Sequence, residues 1–404
     1  MLLLLAGLVI AVTPLDRLTA IDVPLMRNLS ALFGWLLVVA FLWIFNGRAV
    51  LHHRAQILAI GFAAGVGVLE LARLLGADWF GYAGTPSIGR ALALYLSWVQ
   101  PIVLFLVVSM IARHRSAVSW VLAGLPIVSG VLATEAVLAG GTERWAPLGL
   151  NENFAGLTFG LSVIIAVARI LSVHRGDTRQ LLLATALAIT IPLNIVGVLL
   201  SGSRAASAAT VVGVLALLVL SRVGSKRLLT LGLAAVLLVV PLWPIYVGAA
   251  QTLGDRWERT LALDDFGSRD GLLRVSTELF IEQPLIGYGL TSQRVIGERY
   301  FGYPDRPFSA HNTVMSLLVS FGLLGSLLWF AMLGSVFAHV WRHRRAENAS
   351  LVLASLAMFM TYMPTGSITT NRYFYVMLGL ALCTHLWHHQ TATRPEDNRS
   401  NEMT

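Results

Sequence analysis

Long apolar runs separated by short polar links set the pattern of this chain. Hydrophobic windows fall at about 1–14, 29–46, 56–76, 88–111, 117–138, 153–172, 180–200, 205–221, 228–250, 312–341, 349–363 and 372–389. Most approach the ~20 residues that a helix needs to cross a hydrocarbon core, and 1–14 and 349–363 are short for that role. Their interiors are Leu, Ala, Val and Gly, which suits close-packed helices; an open sheet would leave unpaired backbone groups in lipid. The pattern breaks once, between Gln251 and Asn312, a polar stretch that carries seven Arg and nine acids. The predicted organisation is nine spans over 1–250, a catalytic loop over 251–311, three spans over 312–390 and a disordered tail over 391–404.

Composition agrees with the pattern. The chain is 56% hydrophobic and 12% charged, with mean hydropathy +0.73. A soluble domain carries about 25% charged residues. The fold class is therefore an all-α polytopic membrane protein of about 12 transmembrane helices. Cys383 is the only cysteine, which excludes a disulfide framework and a thiolate metal site.

The net charge of +8 does not indicate a nucleic-acid partner, because the charge sits in the links between apolar runs. Links 47–55, 112–116, 173–179, 221–227 and 342–348 hold twelve basic residues against two acids. The alternate short links hold six basic residues against five acids. The first set, and with it both termini, is predicted to be cytoplasmic, and the long loop is predicted to face outward. That compartment offers neither ATP nor nucleotide sugars.

Three places on the outward side carry candidate chemistry. Ser201-Gly202-Ser203-Arg204 lies between two apolar runs. Hydroxyls that cap a helix start leave N–H groups and a favourable dipole for an anion, and Arg204 adds a two-pronged donor for phosphate. The rival reading of Arg204 is an arginine snorkelling to the interface, but the link lies on the side where positive charge is otherwise sparse, which favours a functional role. In the long loop, Ser268 is an N-cap for an amphipathic helix reaching about Gln283, with Leu272, Val275, Leu279 and Phe280 on its apolar side. Arg269 falls in the first turn, where a cation opposes the helix dipole and a docked anion would relieve it. Arg274 lies one turn from acids on both sides and reads first as part of a solvated ion-pair network. His311 closes the loop. It is the one histidine of ten on the outward loop, and imidazole is the side chain best matched to proton transfer near neutral pH.

Weaker signals surround these. Glu70 and Arg73 read as an i,i+3 pair that offsets its own burial cost. Asn151-Glu152-Asn153 reads as a cap or as a sugar-binding pair of amides beside Glu135 and Glu143. No metal motif, nucleotide loop or dinucleotide fingerprint is present, so neither a cofactor nor a metal is expected.

Ser201-Gly202-Ser203-Arg204 at the start of a span, Asn151-Glu152-Asn153-Phe154-Ala155 before another, Ser268-Arg269, Pro284-Leu285-Ile286-Gly287-Tyr288-Gly289, and His311-Asn312 followed by Phe321-Gly322-Leu323-Leu324-Gly325 together resemble the O-antigen ligase/polymerase superfamily. The resemblance covers about 150 to 325. It implies a GT-C-like, inverting, metal-independent glycosyltransferase that joins lipid-carried glycans at the outer face of the bacterial inner membrane. It implies catalytic roles for His311, Arg204 and Arg269, and substrate contacts at Ser201, Ser203, Asn151, Asn153, Arg274, Asn312 and Tyr288. The chain departs from the family pattern at Leu273, where a Trp is frequent. One large outer loop favours a ligase, with undecaprenyl diphosphate-linked O-antigen as donor and the lipid A-core oligosaccharide as acceptor. A polymerase or a protein O-oligosaccharyltransferase would use the same centre. A lipid-linked glycan flippase is the non-enzymatic rival, although it would place its charges at the midplane of an inverted repeat.

Overall fold

The computed structural model describes residues 53–75, 88–111, 115–138, 151–172, 178–221, 224, 243–263, 269–302, 308–346 and 348–384. The predicted segments 1–14 and 29–46, most of 228–250, the cap Ser268, Glu143 and the tail lie outside these residues. Within them the chain is helical and no strand occurs. The helices are α1 (Arg54–Leu75), α2 (Ile88–Ile111), α3 (Arg115–Leu138), α4 (Glu152–Leu171), α5 (Thr178–Leu200) and α6 (Arg204–Leu220). They continue with α7 (Trp243–Leu263), α8 (Arg269–Glu282), α9 (Ser292–Phe301), α10 (Thr313–Arg342), α11 (Ala349–Tyr362) and α12 (Arg372–Ala381).

Among the described residues five helices are long and apolar enough to cross a membrane: α1, α2, α4, α5 and α10. At 1.5 Å per residue, α11 spans only ~21 Å, short of a ~30 Å core. It is nonetheless buried along its length, because neighbouring helices rather than lipid surround it. Two boundaries differ from the sequence reading: among the described residues the run read at 372–389 gives an α-helix that ends at Ala381, and a second element runs on past its expected end. The span ending near 250 continues as α7 to Leu263, so the helix runs a dozen residues into the polar stretch.

Small residues let the helices approach closely. Gly156 of α4 faces Ser201 and Ala206, Gly160 faces Thr210, and Ile164 faces Gly213; a Cβ on any of these glycines would collide with its partner. The three pairs advance together, so α4 and α6 run parallel with their N-termini at one end. Across α6, Gly213 meets Ala354 and Met358 of α11, while Leu220 and Ser221 share a cavity wall with Ala346 and Ser350. Hence α11 is antiparallel to α6, and its C-terminus returns to the end that holds Ser201–Arg204.

Candidate active site

The long polar stretch is stapled to the bundle. Helix α10 is broken at Gly322 (φ 59°, ψ −163°), and the segment 284–288 takes over the backbone bonds the break releases. Tyr288 N–H donates to the Val319 carbonyl at 2.7 Å, Leu323 N–H to Pro284 at 2.8 Å and Leu324 N–H to Leu285 at 3.1 Å. In an unbroken helix Val319 would have received Leu323 itself. The left-handed φ of Gly287 (62°) and Gly322 (59°) suits glycine, and contact adds a second reason. A Cβ on Gly322 would run into the Leu285 backbone, and one on Gly287 would meet Val319 O at 2.5 Å.

A buried ion pair on α1 completes the staple. Arg73 is 4% exposed and Glu70 8%. Arg73 donates to Glu70 Oε1 at 2.7 Å, and to the carbonyls of Ile286 and Gly287 at 2.9 and 2.6 Å. Glu70 Oε1 also accepts Leu290 N–H at 2.9 Å. The sequence foresaw the pair but not its purpose. Three of these four bonds tie α1 to a segment more than two hundred residues away, and a periodicity argument cannot see such a contact. Ser292 and Ser320 add a hydroxyl–hydroxyl bond of 2.7 Å between α9 and α10.

So anchored, α8 lays its apolar side on the start of α10. Leu272, Val275 and Leu279 pack with Ile296, Ala310 and Val319, and Phe280, Phe308 and Met315 close the patch. This brings Arg269, the first residue of α8, into electrostatic reach of His311. Burial first, and then the Arg269 charge, hold the His311 imidazole below the ordinary histidine pKa. The ring lies edge-on to Phe308 at 5.3 Å between centroids. His311 itself adopts φ 49°, an uncommon conformation for a residue with a side chain, and its N–H donates to Ser309 Oγ at 3.2 Å.

The residues after His311 lock that conformation. Asn312 caps α10 by accepting Met315 N–H at 3.1 Å, and its amide donates to the Pro364 carbonyl at 3.3 Å. Thr313 N–H donates to Met363 O at 2.8 Å, and its hydroxyl donates to Gly366 O at 2.7 Å and accepts Ile368 N–H at 3.1 Å. The polar turn between α11 and α12, which sequence reasoning passed over, is thus a neighbour of His311. Because α11 is antiparallel to α6, the same end of the bundle carries Ser201, Ser203 and Arg204. Ser203 caps α6 by accepting Ala206 N–H at 3.3 Å, and Ser201 Oγ accepts Ser203 N–H at 3.2 Å. Arg204 is the first residue of α6, as Arg269 is of α8. Asn151 caps the parallel α4 and accepts Asn153 N–H at 3.0 Å, which puts both amides at this end too.

Two candidates are otherwise engaged. Arg274 is 82% exposed on the outward face of α8 and pairs with Glu278 at 3.3 Å, the solvated network its acidic neighbours suggested. Tyr288 donates its hydroxyl to Glu282 at 2.6 Å, and Arg299 grips the same carboxylate with two nitrogens at 2.9 and 3.1 Å. Arg299, first, and Tyr288 hold the Glu282 carboxyl below its usual range. Arg299 was not among the sequence candidates, because seventeen residues separate the partners and no helical spacing links them. Among the described residues no three of His, Cys, Asp and Glu gather as a metal site; Asp264, Asp265 and Asp305 fall outside them.

The comparisons bear on this end of the molecule. The family model described as O-antigen ligase matches residues 186–330. A protein of Rickettsia conorii, provisionally named a polysaccharide ligase, is 28% identical over 102 residues, 22% of this chain and 23% of that protein. The chain therefore spans about a quarter of that relative's length in the match. The family match encloses Arg204, Arg269, Arg274, Tyr288, His311 and Asn312, and it leaves out Asn151, Asn153, Glu70 and Arg73. Residues 186–330, from within α5 through the stapled loop to the middle of α10, are thus the part of the chain that is similar to the O-antigen ligase family.

Proposed function

We propose that the chain is an O-antigen ligase, a GT-C-like membrane glycosyltransferase of about twelve spans. It moves O-antigen from undecaprenyl diphosphate to a lipid A-core sugar on the periplasmic face of the inner membrane. Arg204 and Arg269 bind the diphosphate. His311 takes the proton of an acceptor hydroxyl as that oxygen bonds to the anomeric carbon; the bond from that carbon to the diphosphate oxygen breaks on the opposite face, so configuration inverts. The diphosphate leaves with the electron pair, and the proton on His311 returns to solvent. Negative charge grows on the leaving group, so guanidinium groups fixed in advance favour the transition state over the ground state. A positioned base contributes about 10²–10⁴-fold.

The observation that carries this reading is the meeting of Arg269 and His311. A cation beside a half-buried imidazole keeps it neutral, and only a neutral imidazole accepts a proton. The test is purified protein with lipid-linked glycan and core lipid in EDTA, without nucleotide. Transfer at full rate supports the reading. Transfer that requires added magnesium or manganese refutes metal independence, and transfer to O-units or to a pilin in place of core lipid assigns the centre to a polymerase or a protein glycosyltransferase.

A further inference from the structure

The end of the bundle remote from His311 holds a cavity of about 650 Å³ between the C-termini of α4, α6 and α10 and the start of α11. Its volume falls in the range of about 300–1,000 Å³ typical of small-molecule sites. Leu171 and Leu220 make part of its lining apolar, and Arg344 and Arg345 make part of it cationic. Both arginines are exposed, and no carboxylate among the described residues pairs with either. Arg344 is held in place by donating to the Trp341 carbonyl at 3.1 Å, with its guanidinium 5.4 Å from the Trp341 ring. Ser350, in the first turn of α11, also lines the space, and the cap of that helix, Asn348, makes no side-chain bond to it.

The depth of this cavity follows from α10. Leu324 and Leu327 are exposed just after the Gly322 break, and Phe337 and Trp341 are exposed at the far end, their rings stacked 6.0 Å apart. Gly322 to Trp341 is nineteen residue steps, ~29 Å of helix, which matches a hydrocarbon core of ~30 Å. An exposed aromatic pair at that depth marks the headgroup boundary. Arg344 and Arg345 then stand about one turn further out, level with lipid phosphates.

We infer that this cavity binds one anionic phospholipid of the leaflet opposite His311. Its phosphate lies between Arg344, Arg345 and the first turn of α11, and its glycerol and upper acyl chain lie against Leu171 and Leu220. The combination of apolar and cationic lining suits a lipid rather than a free anion, and arginines at this depth favour anionic over zwitterionic headgroups. The occupant would fix the α10–α11 corner, the far end of the helix whose start presents His311.

The experiment uses the full chain purified in detergent and exchanged into phosphatidylglycerol, phosphatidylcholine or inorganic phosphate, with retention of one bound molecule read by native mass spectrometry. Phosphatidylglycerol should be retained at least tenfold more strongly than phosphatidylcholine. Arg344→Ala with Arg345→Ala should abolish that preference, and the double lysine variant should keep part of it. Arg54→Ala, which removes an exposed charge at the same end of the bundle but outside the cavity, should leave retention unchanged. Equal retention of the two lipids would overturn the inference. So would retention undiminished in the double alanine variant, an equal loss in Arg54→Ala, or binding of phosphate alone.

Discussion

Replacing Arg73 with alanine tests whether the staple holds the site. The side chain makes three charge-assisted bonds, to Glu70 and to the carbonyls of Ile286 and Gly287, and it is almost fully buried. Removing one member of a buried pair costs about 3–5 kcal/mol, because the other charge stays behind without compensation. What remains across the junction is three backbone bonds, the Leu290 N–H bond to Glu70 and the Ser292–Ser320 bond, worth about 0.5–1.5 kcal/mol each, and the apolar patch under α8. The loss is therefore comparable with everything else that keeps segment 284–290 seated. At about 1.4 kcal/mol per decade, the open population should rise by ~10²–10³-fold. Hydrogen exchange of the peptide spanning Tyr288 and Leu290 should accelerate, and the transfer rate should fall with it, because Arg269 loses its fixed distance from His311. Glu70→Gln should do less, since its amide oxygen still accepts Leu290 N–H. If Arg73→Ala left both exchange and transfer as in the unaltered protein, the staple would be dispensable. If transfer fell while exchange held, Arg73 would act by some other route.

Four further outcomes are expected. The rate of transfer should hold as pH falls below the ordinary histidine value and decline only further down, because burial and Arg269 lower the His311 pKa. Arg269→Gln should move that acid limb to higher pH, and an unmoved limb would separate the two residues. His311→Ala should lose about 10²–10⁴-fold in rate with donor binding kept, and His311→Gln should be nearly as slow, measured by single-turnover transfer. Arg204→Lys and Arg269→Lys should each lose most activity, because a lysine keeps the charge but not the two-pronged donor, whereas the exposed Arg274→Ala should keep it; an essential Arg274 would overturn this placement of α8. A phosphatase fused after Arg294 should be active and one fused at the C-terminus inactive, and the reverse pattern would sink the assigned orientation.

Helix limits were largely legible because polar links bracket each run. The segments read at 88–111 and 312–341 emerge as α2 at Ile88–Ile111 and α10 at Thr313–Arg342. The amphipathic helix after Ser268 was legible for the same reason, and Leu272, Val275 and Leu279 are its buried side. Hydropathy failed at α7, where Asp255, Arg256 and Glu258 ended the apolar window but not the helix. Charged residues are good helix formers when one face still finds a partner. The Gly322 break was hidden for a different reason. Phe321-Gly322-Leu323-Leu324-Gly325 reads as uninterrupted apolar sequence, and the break exists only because 284–288 arrives to accept the released bonds.

That break has a consequence for how the proposed chemistry works. A polar stretch joining two spans reads most simply as a lid, free to swing away and readmit water. Here, swinging α8 away together with the segment 284–288 that follows it would strip backbone partners from Val319, Leu323 and Leu324. It would also uncover a buried ion pair. The segment therefore behaves as part of the bundle, and the relation of Arg269 to His311 is set before any substrate arrives. In the proposed reaction a donor tethered to a membrane lipid would reach Arg204 and Arg269 from the bilayer side, and the acceptor hydroxyl would come from the polar side. Pre-set donors of this kind lower the barrier without paying for reorganisation during the reaction, and a half-buried imidazole beside a fixed cation is the arrangement that such a reaction uses.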